Sequence, residues 1–282
     1  MTQHEASTDD ANFLRIDHVS KWFGGADRHA GMQVIDDVSM TIEKGELAVF
    51  VGPSGCGKTT LMRIVGGLDQ PTSGTVMLGG EAVKGPDRRK GVVFQSYSSF
   101  PWLNVLDNVK FGLRFRDGLS AREKDEIARH YVDLVGLVGF ESFYVNKISG
   151  GMRQRLALAR TLAADPDILL MDEPFGALDA QNREFLQVQL LDIRERERKT
   201  IVFVTHDVDE AVFLAERVFI FSARPATIIE EIRVNETLPA KRDLKVKDSE
   251  QFLHLRNRIQ AVIRTQARRT EEEMLRVAAR RR

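Results

Sequence analysis

A single cysteine in 282 residues rules out an internal disulfide, and it fits a reducing compartment. Net charge is also missing: lysine plus arginine and aspartate plus glutamate each number 41. The chain therefore projects no global field toward nucleic acid or an anionic membrane, and no nucleic-acid partner is expected. No apolar run approaches the roughly 20 residues of a spanning helix; the longest, such as Ile201 to Val204 and Val218 to Phe221, are strand-sized. The opening MTQHEASTDDANF has none of the basic-then-apolar order of a secretory signal. The expectation is a protein made and kept in the cytosol, with any membrane role running through a partner. Internal repeats are absent too, so whatever machinery the chain carries is present once.

What remains is an ordinary globular composition, 43% hydrophobic and 29% charged, long enough for one sizeable core plus an inserted or appended subdomain. Residues 1–12 are polar, without apolar periodicity, and are expected to be a disordered tail. Alternating stretches from Phe13 to Ile42 predict antiparallel strands joined by a turn around Gly24 to Gly31. ELAVFVG predicts a buried strand and KTTLMRIVGGL the helix after it. From about Asn104 to Leu162 helical spacing takes over, with Ile127, Tyr131, Leu134 and Leu137 or Val138 on one face. Strand signals return at DILLMDE, TIVFVTH, RVFIFSA and TIIEEIRV, with a long helix between the first two. The pattern is α/β, with a helical insertion between strands.

Gly52, Pro53, Ser54, Gly55, Cys56, Gly57, Lys58, Thr59 and Thr60 satisfy G-x-x-x-x-G-K-[ST] at every fixed position, after a predicted strand and before a predicted helix. Glycines let the backbone wrap phosphate closely and present N–H donors, and the helix start adds its positive end. Lys58 is expected to reach the β- and γ-phosphates of a nucleotide, and Thr59 to coordinate Mg²⁺. Cys56 fills a free position, as a small residue that fits. The apolar run Ile168 to Met171 delivers Asp172 and Glu173 at the C-terminal end of a strand, where open α/β sheets bind ligands. Asp172 is expected to hold Mg²⁺ largely through water, and Glu173 to polarise the attacking water as general base.

Up to this point the residues describe a P-loop ATPase. Ile148-Ser149-Gly150-Gly151-Met152 then makes the chain resemble the ABC transporter ATPases, whose signature usually reads L-S-G-G-Q. Ser149, Gly150 and Gly151 precede a helix, so a hydroxyl and exposed N–H groups can meet a γ-phosphate; Met152 replaces the usual polar side chain. The resemblance covers roughly residues 13 to 235. It further identifies Gln95 as the Q-loop glutamine that senses Mg²⁺ and water, Ala177-Leu178-Asp179 as the D-loop, His206 as the switch histidine near the γ-phosphate, and Phe23 as the adenine-stacking aromatic. It implies a P-loop cassette with a RecA-like core, an N-terminal antiparallel β-subdomain and an inserted helical signature subdomain at about 97–162. The ATPase domain is expected over 13–235, and a C-terminal extension with a basic helix over 236–282.

The resemblance also implies a mechanism. ATP with Mg²⁺ lies between the phosphate loop of one cassette and the signature of another, so a second ATPase subunit, most simply a second copy, is a required partner. Two transmembrane permease subunits and, indirectly, a solute-binding protein complete the assembly, which places the chain peripherally on the cytoplasmic face of the plasma (inner) membrane. Pro101-Trp102-Leu103 and the residues up to Val109, with the later SARPATIIEEIRV and LPAKRD, resemble the nitrate/sulfonate/taurine importer subfamily. Phe100 and Trp102 are candidate docking aromatics, with core packing as the other reading. In residues 250–282, Phe252, Leu255, Ile259 and Val262 or Ile263 form an apolar stripe ahead of an arginine-rich end. That segment reads as a helix packed on the cassette, or else as an amphipathic lipid contact. Soluble ABC ATPases of DNA repair or translation usually need long coiled-coil insertions or two cassettes per chain, and neither is present. An exporter ATPase fits poorly with the importer-like stretch after Gln95.

Overall fold

The computed structural model describes residues 12–24, 31–94, 99–176 and 178–280. In chain order the elements are β1 (Leu14–Phe23), β2 (Met32–Ile42), β3 (Leu47–Val51), α1 (Lys58–Val65), β4 (Ser73–Leu78), β5 (Glu81–Ala82), β6 (Lys90–Val93), α2 (Val105–Gly112), α3 (Ala121–Leu134), α4 (Gly150–Ala163), β7 (Ile168–Asp172), α5 (Ala180–Glu197), β8 (Thr200–Thr205), α6 (Val208–Leu214), β9 (Arg217–Phe221), β10 (Ile228–Arg233) and α7 (Glu250–Arg280). The expected tail falls almost wholly outside the described residues. The chain divides into two compact units, residues 1–85 with 204–282, and residues 86–203.

The first unit holds a four-stranded antiparallel sheet in the order β2-β1-β4-β5. Leu14 of β1 sits opposite Ile42 of β2 on one side and Leu78 of β4 on the other, and all three are buried. Beside it, β3 and β9 pair in parallel with Val49 opposite Val218, and β10 runs antiparallel along β9. All five residues of β3 are buried, which is why it reads as a continuous apolar run rather than an alternating one. Phe50 packs between Phe219 and Phe221, with ring centroids 5.9 and 5.2 Å away.

The stretch after β10 is tied into the same unit. Phe252, Leu255 and Ile259 of α7 are buried, and the helix packs against α6. Arg242, also buried, points its guanidinium at the C-terminal end of α6. It donates to the carbonyls of Val212 (3.3 Å), Phe213 (3.1 Å) and Ala215 (2.7 Å), and through Nε to Pro239 (2.9 Å). A cation on the last carbonyls of a helix satisfies orphan acceptors and complements the dipole.

In the second unit β6 and β7 are parallel neighbours, Val93 opposite Met171, and β8 follows β7 in strand order. The helices α2, α3 and α4 pack on one another. A capping box opens α3, with Ser120 and Glu123 bonding reciprocally. Its buried residues are Ala128, Tyr131 and Val132, followed beyond the helix by Val135 and Leu137, while Ile127 and Leu134 are half-buried and Val138 is exposed. Tyr131 and Leu137 of the face expected from sequence are thus buried, whereas Ile127 and Leu134 give way to Ala128, Val132 and Val135. The helix stops at Leu134, and Gly136 takes a φ of +66°, so the later residues do not continue its period. Asn108, fully buried, bonds Phe100 through both N–H and C=O and donates to Leu103 O and Asn104 O. That one side chain fixes the loop ahead of α2.

Candidate functional site

The two units carry different parts of the expected machinery. In the first, residues 52–57 form one loop between β3 and α1, and Lys58, Thr59 and Thr60 open α1. Glycine is obligatory at two of its positions. A Cβ on Gly52 would lie 2.8 Å from Phe221 O, and one on Gly57, at φ +132°, would lie 2.8 Å from Val34 O. Lys58 is only 4% exposed. Its ammonium folds back into the loop, donating to Gly52 O (2.8 Å) and Pro53 O (2.9 Å) and lying 3.7 Å from Cys56 Sγ. The α1 N-cap is Gly57, with no side-chain cap and no acid in the first turn. A buried ammonium and an uncapped helix start in a cradle that a Cβ would fill suit a phosphate chain. Cys56 is buried and small enough to fit there. Thr59 is exposed and Thr60 half-buried.

Phe23 ends β1 opposite Met32. The residue is 42% exposed, with Lys21 Nζ 4.9 Å from the ring centroid. An aromatic face left open to solvent can stack on a base. His206 follows β8 and is exposed. Its neighbours are tied down. Thr205 donates to Glu210 Oε2 at 2.7 Å, both being buried, and accepts from Asp207 N at 3.0 Å. Asp207 in turn caps α6 by accepting from Asp209 N and Glu210 N. His206 thus stands on a fixed corner made by Thr205, Asp207 and Glu210, three residues that sequence reading did not single out. The available signal was the three-residue spacing from Asp207 to Glu210, an acid at a helix start with a second acid one turn in.

In the second unit Asp172 ends β7, buried, and Glu173 comes next, half-buried. Glu173 has a φ of +45°, an uncommon conformation for a residue with a side chain. Such outliers gather where geometry serves chemistry. Its carbonyl accepts from Gly176 N at 3.2 Å, and Pro174 and Phe175 behind it are buried. Gln95 and Ala177 lie outside the described residues.

Ser149 is the N-cap of α4, its Oγ accepting from Met152 N at 3.2 Å. Position 152 therefore acts here through its backbone, which methionine supplies as well as glutamine. Because the Ser149 oxygen is used as an acceptor, its O–H remains a donor. Gly150 and Gly151 form the first turn, and a Cβ on Gly151 would lie 3.4 Å from Leu178 Cδ2 and 3.7 Å from Asn182 Cγ. Gly151 is thus a neighbour of Leu178 and Asn182. Asp179 caps α5 by accepting from Asn182 N (3.0 Å) and Asn182 Nδ2 (2.7 Å). The Asn182 N–H, with its side chain, holds the Asp179 carboxyl below the ordinary carboxylate range.

A family described as ABC transporter matches residues 35–176. The nitrate import ATP-binding protein NrtD of Synechocystis sp. is 44% identical over 263 residues, which is 92% of this chain and 97% of that protein. The aliphatic sulfonates import ATP-binding protein SsuB of Bacillus cereus is 43% identical, over 87% of this chain and 94% of that protein. Among solved structures, a dimeric ATP-binding cassette in a post-hydrolysis state with ADP and Pi aligns with a TM-score of 0.69 at 31% identity, covering 78% of this chain and 98% of its own. The fold and the phosphate loop define a nucleotide-binding α/β ATPase. The chain belongs to the ABC transporter family, as one of its ATP-hydrolysing cassettes.

Proposed function

We propose that this cassette is half of a two-fold dimer that hydrolyses ATP to power an importer of a small anion such as nitrate or a sulfonate. The observation that carries the reading is the phosphate loop, with its buried Lys58 ammonium, two glycines that tolerate no Cβ and a helix start without a side-chain cap. Lys58 neutralises the β- and γ-phosphates, the loop N–H groups bind their oxygens, and Phe23 stacks on adenine. As the family resemblance implies, Thr59, Asp172 and Gln95 would hold Mg²⁺, which would supply charge neutralisation at the phosphates. Among the described residues no group of three or more His, Cys, Asp or Glu is placed to cage a metal ion. One hydroxyl, one carboxylate and one amide, with water and phosphate oxygens, is the donor set Mg²⁺ favours. Glu173, which sits on a turn with φ +45°, accepts the proton of the attacking water. His206 faces the γ-phosphate from its braced corner.

One chain offers one phosphate loop and one signature, so the Ser149 hydroxyl and the N–H groups of Gly150 and Gly151, flanked by Asp179, serve the nucleotide of the second copy. The likeness to a cassette solved as a dimer supports this arrangement. Two permease subunits receive the motion on the membrane's cytoplasmic face, and a solute-binding protein delivers cargo to them. Among the described residues no helix is long and apolar enough to cross a membrane, which agrees with peripheral attachment. Trp102 is 69% exposed and stacks on Phe100, whose other neighbours are Phe111 and Arg160. We read Trp102 as the docking aromatic and Phe100 as its support. The anion class rests on the relatives named for nitrate and aliphatic sulfonates.

The test is a tagged Glu173→Gln chain recovered from native membranes. It is expected to bind ATP, to turn over about 10²- to 10⁴-fold more slowly, and to be trapped as an ATP-bound dimer that brings down a pair of membrane proteins. Wild-type hydrolysis would remove Glu173 from the base role. Recovery without any membrane protein would remove the import reading and leave the ATPase.

A further inference from the structure

We propose that Arg224 is the positioning residue of the phosphate loop: its guanidinium fixes the orientation of the loop's exposed tip and thereby sets affinity for ATP. This rests on the reading of residues 52–60 as the phosphate site.

The contact is direct. Arg224 Nη2 donates to Gly55 O at 2.6 Å, and Nη1 lies 3.1 Å from Met32 Sδ. Gly55 has a φ of +72°, and the one atom near its missing Cβ is Arg224 Nη2, at 3.7 Å. Gly55 O and the Cys56 N–H belong to one trans peptide and point in opposite directions. Holding the carbonyl outward therefore turns the Cys56 N–H inward, where it closes the loop on Pro53 O at 3.4 Å. Pro53 O is also one of the two carbonyls that seat the Lys58 ammonium. One guanidinium thus sets a peptide plane that sets the seat of the phosphate-binding lysine.

The arginine itself is held by a stiff turn. Ser222 Oγ accepts from Thr227 N at 2.8 Å and lies 2.9 Å from Pro225 O. Ala226 is stitched to β2 through Ala226 N to Val34 O (2.8 Å) and Asp36 N to Ala226 O (2.9 Å). The same turn meets the loop's far end, since a Cβ on Gly57 would lie 3.2 Å from Ala226 Cβ. A fixed positive charge at the loop's rim also favours a polyanionic ligand.

The experiment compares Arg224→Ala, Arg224→Lys and Lys58→Ala with the wild-type full chain. It measures ATP binding by equilibrium titration, amide exchange over residues 53–57 without nucleotide, ATPase KM and kcat, and melting temperature. Loss of one charge-assisted hydrogen bond is expected to raise the Kd and KM for ATP about tenfold in Arg224→Ala. Exchange over 53–57 is expected to accelerate, while kcat stays within about twofold and the melting temperature within about 2 °C. Arg224→Lys, which keeps a donor and the charge, is expected to recover affinity to within about threefold of wild type. Unchanged affinity and exchange in Arg224→Ala, with binding lost in Lys58→Ala, would overturn the role of Arg224 alone. Unchanged affinity in both would overturn the phosphate-site reading beneath it. A weaker Kd tracking a large fall in melting temperature, unrescued by lysine, would make the arginine merely structural and also overturn the proposal.

Discussion

On the function proposed above, two helix starts in this protein serve the same kind of ligand in opposite ways. The helix after the phosphate loop begins at Gly57 with no side-chain cap, and its loop is shaped by neighbours that press on it from Phe221, Val34 and Ala226. The signature helix begins at Ser149, which caps it from within, and a Cβ on its Gly151 would meet its neighbours only at ordinary contact distance, 3.4 Å or more. The first is a cradle whose form its surroundings dictate. The second is a self-sufficient helix terminus that presents donors outward. An element that must grip a ligand within its own chain is over-determined, whereas one that must meet a ligand held by another copy is stable alone and exposed.

The sharpest way to break this contrast is to make one substitution in both places. Gly57→Ala is expected to destabilise the protein by about 1–3 kcal/mol, because φ +132° and the Val34 carbonyl both resist a Cβ, and to weaken ATP binding with it. Gly151→Ala, at a helical position, is expected to leave stability unchanged or raise it by up to about 1 kcal/mol, yet to abolish ATP-driven dimerisation. Urea unfolding and size-exclusion with ATP read both effects; equal destabilisation at the two sites would erase the distinction. A smaller effect is expected of Ser149→Ala, which removes the cap at a cost of about 1 kcal/mol, visible in the same unfolding curves.

The smallest effect is on acid. The Asp179 carboxyl is held below its ordinary range chiefly by the Asn182 N–H, so the folded state favours the ionised form. Its contribution is present above the unfolded carboxylate value and is lost as pH falls through the depressed folded one. Protection of the Asn182 amide, relative to its intrinsic exchange rate at each pH, is expected to fall below about pH 4. An Asp179→Asn chain, whose cap does not titrate, is expected to show no such step.

Much of the fold was legible because local rules agreed. The run LAVFV was apolar throughout since both its faces are covered, and Ser149 announced a helix by capping it. The phosphate loop could be read because glycine spacing is itself the geometry. What sequence could not show was contact over distance. Arg224 reaches a carbonyl 169 positions away, and in the sequence its SARP surroundings served only to suggest a subfamily. The corner under His206 and the clamp made by Asn108 were hidden likewise, since a buried asparagine or glutamate looks like any surface residue until its partners are known. Gly136 defeated the helical count on α3, because the apolar spacing ran on past the point where the backbone turned.

Arg242 bears on where this protein can be cut. The ATPase domain is expected to end at about residue 235, and the stretch beyond it carries none of the expected site residues. Yet the guanidinium that closes the last turn of the helix after His206 comes from beyond that point, as do the Phe252, Leu255 and Ile259 side chains that are buried in the same unit. A seven-residue helix has too few internal bonds to stand without such outside support. A fragment trimmed to the recognisable motifs would keep every named residue of the switch and lose the fastening that keeps it in place.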